Sequence, residues 1–210
     1  MKTHSILTII LVAFVICGLS DSSLAGHGDL AGNQAGGEEI LSLFQTEADT
    51  LSFMREEEKL ARDVYLQMIA EYGSKIFYNI AESEQTHMDA IKTLLDKYGL
   101  DDPAVPIFGV FNDTDLQVLY DEFVARGDDS KLDALRVGAL IEEVDIEDLQ
   151  AAIDQTDKHD LERVYGNLMS GSKNHLRAFV SQIELLSGEN YEAQHLPQEV
   201  VDEILTEYEE

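Results

Sequence analysis

The stretch NIAESEQTH, residues 79–87, decides the fold because it places two ionisable side chains inside an apolar helical stripe. Glu84 and His87 lie one turn apart, on the helix face that also carries Ile80 and Ile91. A Glu-x-x-His spacing alone is common on solvated helix faces. Inside an apolar stripe, it predicts a carboxylate and an imidazole that face the interior of a helical protein.

Helical periodicity extends outward from this stretch over most of the chain. It predicts four long helices, at about residues 46–73, 74–99, 131–153 and 158–186. A capping-box spacing begins at Thr46, and a short amphipathic helix ends at Gly127 within the long connection between the second and third long helices. Strand signals are nearly absent. The pattern predicts an all-α, ferritin-like four-helix bundle at 46–187, with a crossover that carries a short extra helix. Residues 188–210 are expected to form a last short helix and a tail.

The other long helices repeat the same feature. At 3.6 residues per turn, Glu142 falls at the centre of an apolar arc, Glu58 lies between apolar neighbours on the first helix, and His175 lies between Leu168 and Phe179. The neighbouring Glu143 is expected to face solvent. The alternative for each site is a rotation shifted by one position, which would place the polar group on a solvated edge.

Buried carboxylates need a partner because burial of a lone carboxylate costs several kcal/mol. A metal ion shared by several of them removes that cost. The only cysteine is Cys17, so ligands would come from Asp, Glu and His, a donor set that suits iron or manganese and also accommodates zinc. A simpler alternative for the two histidines is a core imidazole that is hydrogen-bonded to a neighbouring carboxylate.

The charge balance excludes several classes of partner. The 210 residues include 42 Asp and Glu but 14 Lys and Arg, for a formal net charge of −28. Such a chain repels nucleic-acid phosphates and anionic membrane surfaces, so neither nucleic acid nor membrane is an expected partner. It attracts cations.

The N-terminus predicts export. An apolar run at 6–19 precedes Ser23-Leu24-Ala25, which has small residues at the two positions that signal peptidase recognises. We therefore expect a signal peptide at 1–25, a flexible leader at 26–45 and a mature protein in the periplasm, the cell envelope or the extracellular medium. The run is shorter than the roughly 20 apolar residues that span a bilayer. An uncleaved N-terminal anchor is the alternative.

Several of these stretches resemble known families. Residues 79–87 resemble the second-helix motif of rubrerythrins and related ferritin-like di-iron proteins, and residues 58–65 resemble their first-helix motif, a glutamate followed seven residues later by tyrosine. Residues 54–61, 141–146 and 171–179 look more closely like a functionally uncharacterised ferritin-like domain family. The resemblance implies the fold but no defined activity.

The resemblance also implies metal ligands and two irons per chain. Glu58 would be a terminal ligand, Glu84 a bridging carboxylate with His87 beside it, and Glu142 the carboxylate of the third long helix. Tyr65 would form a hydrogen bond to a ligand or relay one electron.

The fourth long helix departs from the family pattern. A second Glu-x-x-His is expected there, but the chain reads SKNH at 172–175, so that His175 is present and Ser172 replaces the carboxylate. Asp145, one turn beyond Glu142, is a candidate replacement. Without it, the second metal position would be weak, open to solvent or exchangeable.

Two functions follow as expectations. The first is a di-iron oxidoreductase of the ferroxidase or peroxidase type, which takes oxygen or peroxide and, for a peroxidase cycle, an external electron donor. The alternative is a non-catalytic metal-sequestering or structural bundle that holds one metal ion or none because of Ser172. The oligomeric state is not assigned from the sequence, although related bundles include monomers and dimers.

Overall fold

The computed structural model describes residues 43–207, which form six α-helices and no strand. The helices are α1 (Gln45–Tyr72), α2 (Lys75–Tyr98), α3 (Thr114–Gly127), α4 (Lys131–Asp154), α5 (His159–Ser187) and α6 (Gln198–Thr206). The expectation of an all-helical fold is confirmed for these residues. The predicted signal peptide, the leader up to residue 42 and the last three residues lie outside the described residues.

The first helix ends at the residue that the sequence predicts but begins at a different one. Gly73 ends α1 in the left-handed conformation (φ 57°), with its N–H bonded to the carbonyl oxygen of Ile69 at 2.8 Å. The predicted cap at Thr46 is wrong. The N-cap is Phe44, whose N–H donates to the Glu47 carboxylate at 2.9 Å. Thr156 Oγ1 also donates to Glu47 at 2.6 Å, so a contact distant in sequence helps to place the helix start.

The four long helices pack in pairs. α1 lies against α2 and α4 against α5, while α1 also contacts α4 and α2 contacts α5. α3 packs on α1 and α4, and α6 packs on α5. This packing is compatible with the predicted bundle. No helix in the part of the chain that the structure describes is long and apolar enough to cross a membrane.

The interior contains two apolar clusters separated by polar residues. One cluster includes Tyr65, Phe77 and Phe179, and the other includes Leu51 and Leu149. The ionisable and hydroxyl side chains between them are here named the polar layer, which consists of Glu58, Glu84, His87, Glu142, Asp145, Ser172 and His175. Every member is buried. The apolar clusters on both sides hold the helices in place and exclude water from this layer.

A buried lysine ties the crossover to α1. Lys59 Nζ donates to Asp63 at 2.6 Å and to the carbonyl oxygens of Ile107 and Val110 at 3.0 and 3.1 Å. The ammonium group also lies 4.2 Å from the centroid of the Phe111 ring. Because Lys59 follows Glu58 directly, these contacts fix the rotation of α1 at the polar layer.

The structure corrects the expectation that Glu143 faces solvent. Its side chain is 0% exposed and accepts hydrogen bonds from the Tyr191 hydroxyl and from the backbone N–H groups of Gln194, His195 and Leu196, at 2.6 to 3.1 Å. The segment before α6 folds back over α4 and covers it. A helical wheel of α4 alone could not predict this contact.

Candidate metal centre

Glu84 lies at the middle of the polar layer, between two histidines from different helices. Its Oε2 is 2.8 Å from His87 Nδ1 on the same helix, and its Oε1 is 2.9 Å from His175 Nδ1 on α5. The centroids of the two imidazole rings lie 5.6 Å apart. One buried carboxylate therefore faces two ring nitrogens with its two oxygens.

Two groups with metal-ligand geometry share this carboxylate. The first consists of Glu58, Glu84 and His87, and the second of Glu84, Glu142 and His175; in each group, the ligand atoms lie within 4.8 Å of one another. Glu58 Oε2 is 3.2 Å from His87 Nδ1, and Glu142 Oε2 is 3.3 Å from His175 Nδ1. The two groups share Glu84, and each could hold a metal ion.

Buried atoms without partners support a fit to metal ions. Glu58 Oε1, Glu84 Oε1 and His175 Nδ1 are buried and have no hydrogen-bond partner of acceptable geometry. Glu84 Oε1 and His175 Nδ1 are 2.9 Å apart, yet this contact does not satisfy either atom. Unpaired buried polar atoms are rare in folded proteins. A cation in the first group would give Glu58 Oε1 a partner, and a cation in the second would give His175 Nδ1 and the Glu84 carboxylate a partner.

The charges of the layer depend on one another. Burial alone would raise the pKa of Glu84, but the neighbouring imidazoles of His175 and His87 outweigh it and lower the pKa to about 2. Burial opposes the charged form of both histidines, but the neighbouring carboxylates raise the pKa of His87 to about 11 and that of His175 to about 10. Burial and the charge of Asp145 raise the pKa of Glu58 well above its usual value. Protons therefore balance the carboxylate charge in the metal-free layer.

Asp145 occupies the space opposite Ser172. Ser172 Oγ donates to the Asp145 carboxylate and also contacts the carbonyl oxygen of Leu168 at 3.0 Å. Burial and the charge of Glu142 raise the pKa of Asp145 to about 7. Asp145 belongs to neither group of three, but α4 supplies a buried carboxylate where α5 lacks one.

Groups around the candidate ligands orient them. The Tyr65 hydroxyl donates to Glu142 Oε1 at 2.6 Å. Gly171 on α5 leaves room for the His87 ring, since a Cβ there would lie 2.6 Å from His87 Nε2. Ser83 Oγ lies 2.9 Å from His175 Nε2. No sequence pattern marks Ser83, because a serine beside the apolar face of a helix does not contribute to the helical periodicity.

We expect Ser83→Ala to weaken metal binding by about 10- to 100-fold, as loss of a ligand's hydrogen-bonding partner typically does. When Nδ1 of His175 binds a metal ion, Nε2 carries the proton and donates to Ser83, which holds the ring in place. Competition titration with a chelator would measure the affinity. Ser83→Thr keeps the hydroxyl and is the matched control. Equal affinities for Ser83→Ala and the unaltered protein would contradict this role.

Comparisons with known proteins agree on one family. Residues 47–208 match the family described as "Uncharacterized protein domain (DUF2202)". "Uncharacterized protein MJ0754" of Methanocaldococcus jannaschii is 50% identical over 163 residues, which cover 77% of this chain and 88% of that protein. The crystal structure of hypothetical protein MJ0754 from Methanococcus jannaschii superimposes with a TM-score of 0.74 at 46% identity and covers 87% of this chain and 100% of the other. The family match includes every candidate ligand.

Proposed function

We propose that this chain, which belongs to the DUF2202 family of uncharacterized protein domains, holds two metal ions in its polar layer and oxidises Fe(II) there. One observation carries the proposal: Glu84 lies between two buried groups, each of which adds a carboxylate and an imidazole. If the histidines only stabilised the core through hydrogen bonds, nothing would require two buried groups with the same composition around Glu84. Iron is the preferred metal, and manganese or zinc would also suit these donors.

We further propose that the fold is a ferritin-like four-helix bundle. The pairing of α1 with α2 and of α4 with α5 supports it, as does the long connection that carries α3 between α2 and α4. In such bundles, inward-facing Glu and His side chains of the facing helices form a centre inside the core. The position of the polar layer between two apolar clusters agrees with this arrangement.

The residues of the chain would perform distinct tasks in this reaction. Iron held at these two positions would supply the redox chemistry: two Fe(II) ions would give up one electron each, and these two electrons with two protons would convert one oxygen molecule into one hydrogen peroxide. Glu84 would hold both ions, Glu58 would complete one position with His87, and Glu142 would complete the other with His175. The Tyr65 hydroxyl, whose oxygen lies 2.6 Å from Glu142 Oε1, donates its proton to that carboxylate and fixes its direction. The ligands are at most 8% exposed, so access favours oxidants as small as oxygen or peroxide.

A second candidate function is metal sequestration without turnover. The observation that favours it is the Ser172 hydroxyl, which engages the Asp145 carboxylate instead of leaving it free for a metal ion. In this case, the centre would retain metal but would not consume oxygen. Continued turnover of a peroxidase would in addition need an external electron donor.

The test is metal content together with oxygen consumption. The protein is purified without chelator, Fe(II) is added anaerobically, and bound iron per chain is measured before air is admitted to an oxygen electrode. Two irons per chain with rapid oxygen uptake would support the oxidase. Bound iron without oxygen uptake would support sequestration, and the absence of bound metal would overturn both.

The Asp145 and Ser172 pair allows a carboxylate-exchange experiment. We expect Asp145→Ser to reduce iron content from two to one per chain, because it removes a buried carboxylate beside the two groups. Adding Ser172→Glu to this variant returns a carboxylate from α5, and iron content should recover. The contact between the two side chains makes the exchange sterically reasonable. An iron content of two in Asp145→Ser alone would show that Asp145 is not a ligand.

Metal uptake should release protons. His87 and His175 have pKa values raised to about 11 and 10, so both are protonated at pH 7 in the metal-free protein, whereas a metal-binding imidazole must lose its Nδ1 proton. We expect the two histidines to release about one proton each when metal is added, and metal binding to weaken as the pH falls. An indicator dye in weakly buffered solution measures the release. His159→Gln, which changes an exposed histidine, should release the same number. Uptake without acidification would contradict the assignment.

A further inference from the structure

A cavity of about 640 Å³ lies where α3, α4, α5 and the segment after α5 meet. This volume is within the roughly 300 to 1,000 Å³ that is usual for a small-molecule site. The cavity is lined by two arginines from different helices, Arg126 in the last turn of α3 and Arg136 on α4, and by the buried apolar side chain of Ile183. None of the candidate metal ligands lines it, so it is a separate feature of the molecule.

Both arginines retain hydrogen-bond donors that the protein does not use. Arg126 donates from one Nη to Gln194 Oε1 at 2.6 Å and forms no ion pair with a carboxylate in the part of the chain that the structure describes. Arg136 Nη1 is 3.5 Å from Asp133 Oδ1, which is longer than a hydrogen bond. A guanidinium group has five N–H donors, so most of them are available to a ligand. In a chain with 42 acidic and 14 basic residues, an arginine without a carboxylate partner is unexpected.

Hydrogen bonds that begin in the interior hold one wall of the cavity in place. The carboxylate of Glu143, which is 0% exposed, accepts the Tyr191 hydroxyl at 2.6 Å and the backbone N–H of Gln194 at 3.0 Å. Gln194 Nε2 donates to the carbonyl oxygen of Arg136 at 2.7 Å and to the Tyr191 hydroxyl oxygen at 2.9 Å. The remaining oxygen of this amide accepts the bond from Arg126. Donors that are held in position before binding lose less entropy when a ligand arrives.

Two glutamates, Glu189 and Glu192, also line the cavity. Both are exposed, so water and salt screen their charge. Neither forms an ion pair with Arg126 or Arg136, and the guanidinium donors are therefore not occupied by them. Their charge disfavours a large polyanion and limits the ligand to one or two anionic groups.

We propose that this cavity binds a small molecule with one or two carboxylate or phosphate groups, whose oxygen atoms accept hydrogen bonds from Arg126 and Arg136. The planar fork of a guanidinium group matches a pair of oxygens in either group. Ile183 would contact the apolar part of an organic ligand. The net charge of −28 repels anions from the surface as a whole, so that anion binding is confined to a place where arginines without carboxylate partners meet. This site does not depend on the metal centre.

The test is calorimetric titration of the metal-free full chain at low ionic strength with two probes, succinate and inorganic phosphate. Metal is removed beforehand so that neither anion can bind to a metal ion. Succinamide, the uncharged diamide of succinate, is the control ligand. Arg126→Gln and Arg136→Gln each remove one guanidinium group from the cavity. Arg163→Gln removes the charge of an exposed arginine on α5 that does not line the cavity and is the matched control variant.

We expect one succinate or one phosphate to bind per chain, and Arg126→Gln and Arg136→Gln each to weaken that binding by roughly tenfold or more. Arg163→Gln should bind as the unaltered protein does. Binding of succinate alone would identify a carboxylate ligand, and binding of phosphate alone would identify a phosphate ligand; either supports the site. The proposal is overturned if neither anion binds, if succinamide binds as tightly as succinate, or if Arg163→Gln loses as much affinity as the two cavity variants. Circular dichroism checks folding. The Arg136 side chain forms no hydrogen bond within the described chain, so Arg136→Gln covers the case in which Arg126→Gln loosens the segment around Gln194.

Discussion

Glu84→Gln is expected to abolish binding of both metal ions, the largest effect on function of any single substitution in the chain. Its two oxygens face His87 and His175, so both groups of ligands lose their shared member. An amide keeps the size of the side chain but cannot supply a negative charge to two cations. Metal analysis after Fe(II) loading and gel filtration measures the result.

Glu82→Gln is the matched control for this experiment. Glu82 lies two positions earlier on α2 and is exposed, so the variant loses the same charge without touching the polar layer. It should keep full metal content. Retention of even one ion per chain by Glu84→Gln would show that Glu84 does not bridge, and the proposal of a two-metal centre would have to be abandoned.

Glu143→Ala is expected to lower the free energy of unfolding by about 4 kcal/mol. The substitution leaves the Tyr191 hydroxyl and the three backbone N–H groups of residues 194–196 without their acceptor. A buried donor that loses its charged acceptor lowers the stability of the fold much more than the loss of a contact at the surface does. For a domain of this size, the melting temperature should fall by roughly 10 °C.

The control is Glu147→Gln, one turn further along α4. Glu147 contacts the same segment through the His195 ring, but it is exposed, and pairs at exposed positions contribute at most about 1 kcal/mol. Thermal unfolding of both variants without metal separates the two positions. Equal stability of Glu143→Ala and Glu147→Gln would mean that the segment before α6 is not anchored through Glu143.

The long helices could be predicted because their signals are local. Gly73 and Gly99 end α1 and α2 as expected, and the apolar periodicity of each stretch required no knowledge of its neighbours. Likewise, Glu84 and His87 had to share a helix face at a spacing of three residues. Burial of the polar groups was a weaker inference, since it depended on the correct rotation of each helix.

The acidic run of α1 shows where this reasoning fails. Glu56, Glu57 and Glu58 are consecutive and point in different directions around the helix, yet all three are buried. Glu58 faces the polar layer as expected. The crossover covers Glu56, which accepts the backbone N–H of Asn112 at 2.7 Å, and other parts of the fold bury Glu57. A periodic pattern identifies one buried face and cannot show that other segments cover the remaining ones.

The sequence by itself determined the helices, their order and the main apolar face of each, because these follow from backbone periodicity and turn residues over a few positions. Only the tertiary structure decided which oxygen faces which nitrogen, that Ser83 holds His175, and that Glu143 anchors residues 191–196. The Ser83–His175 and Glu143–Tyr191 contacts join residues 92 and 48 positions apart in the chain. Their geometry depends on the packing of whole helices, which no local pattern encodes.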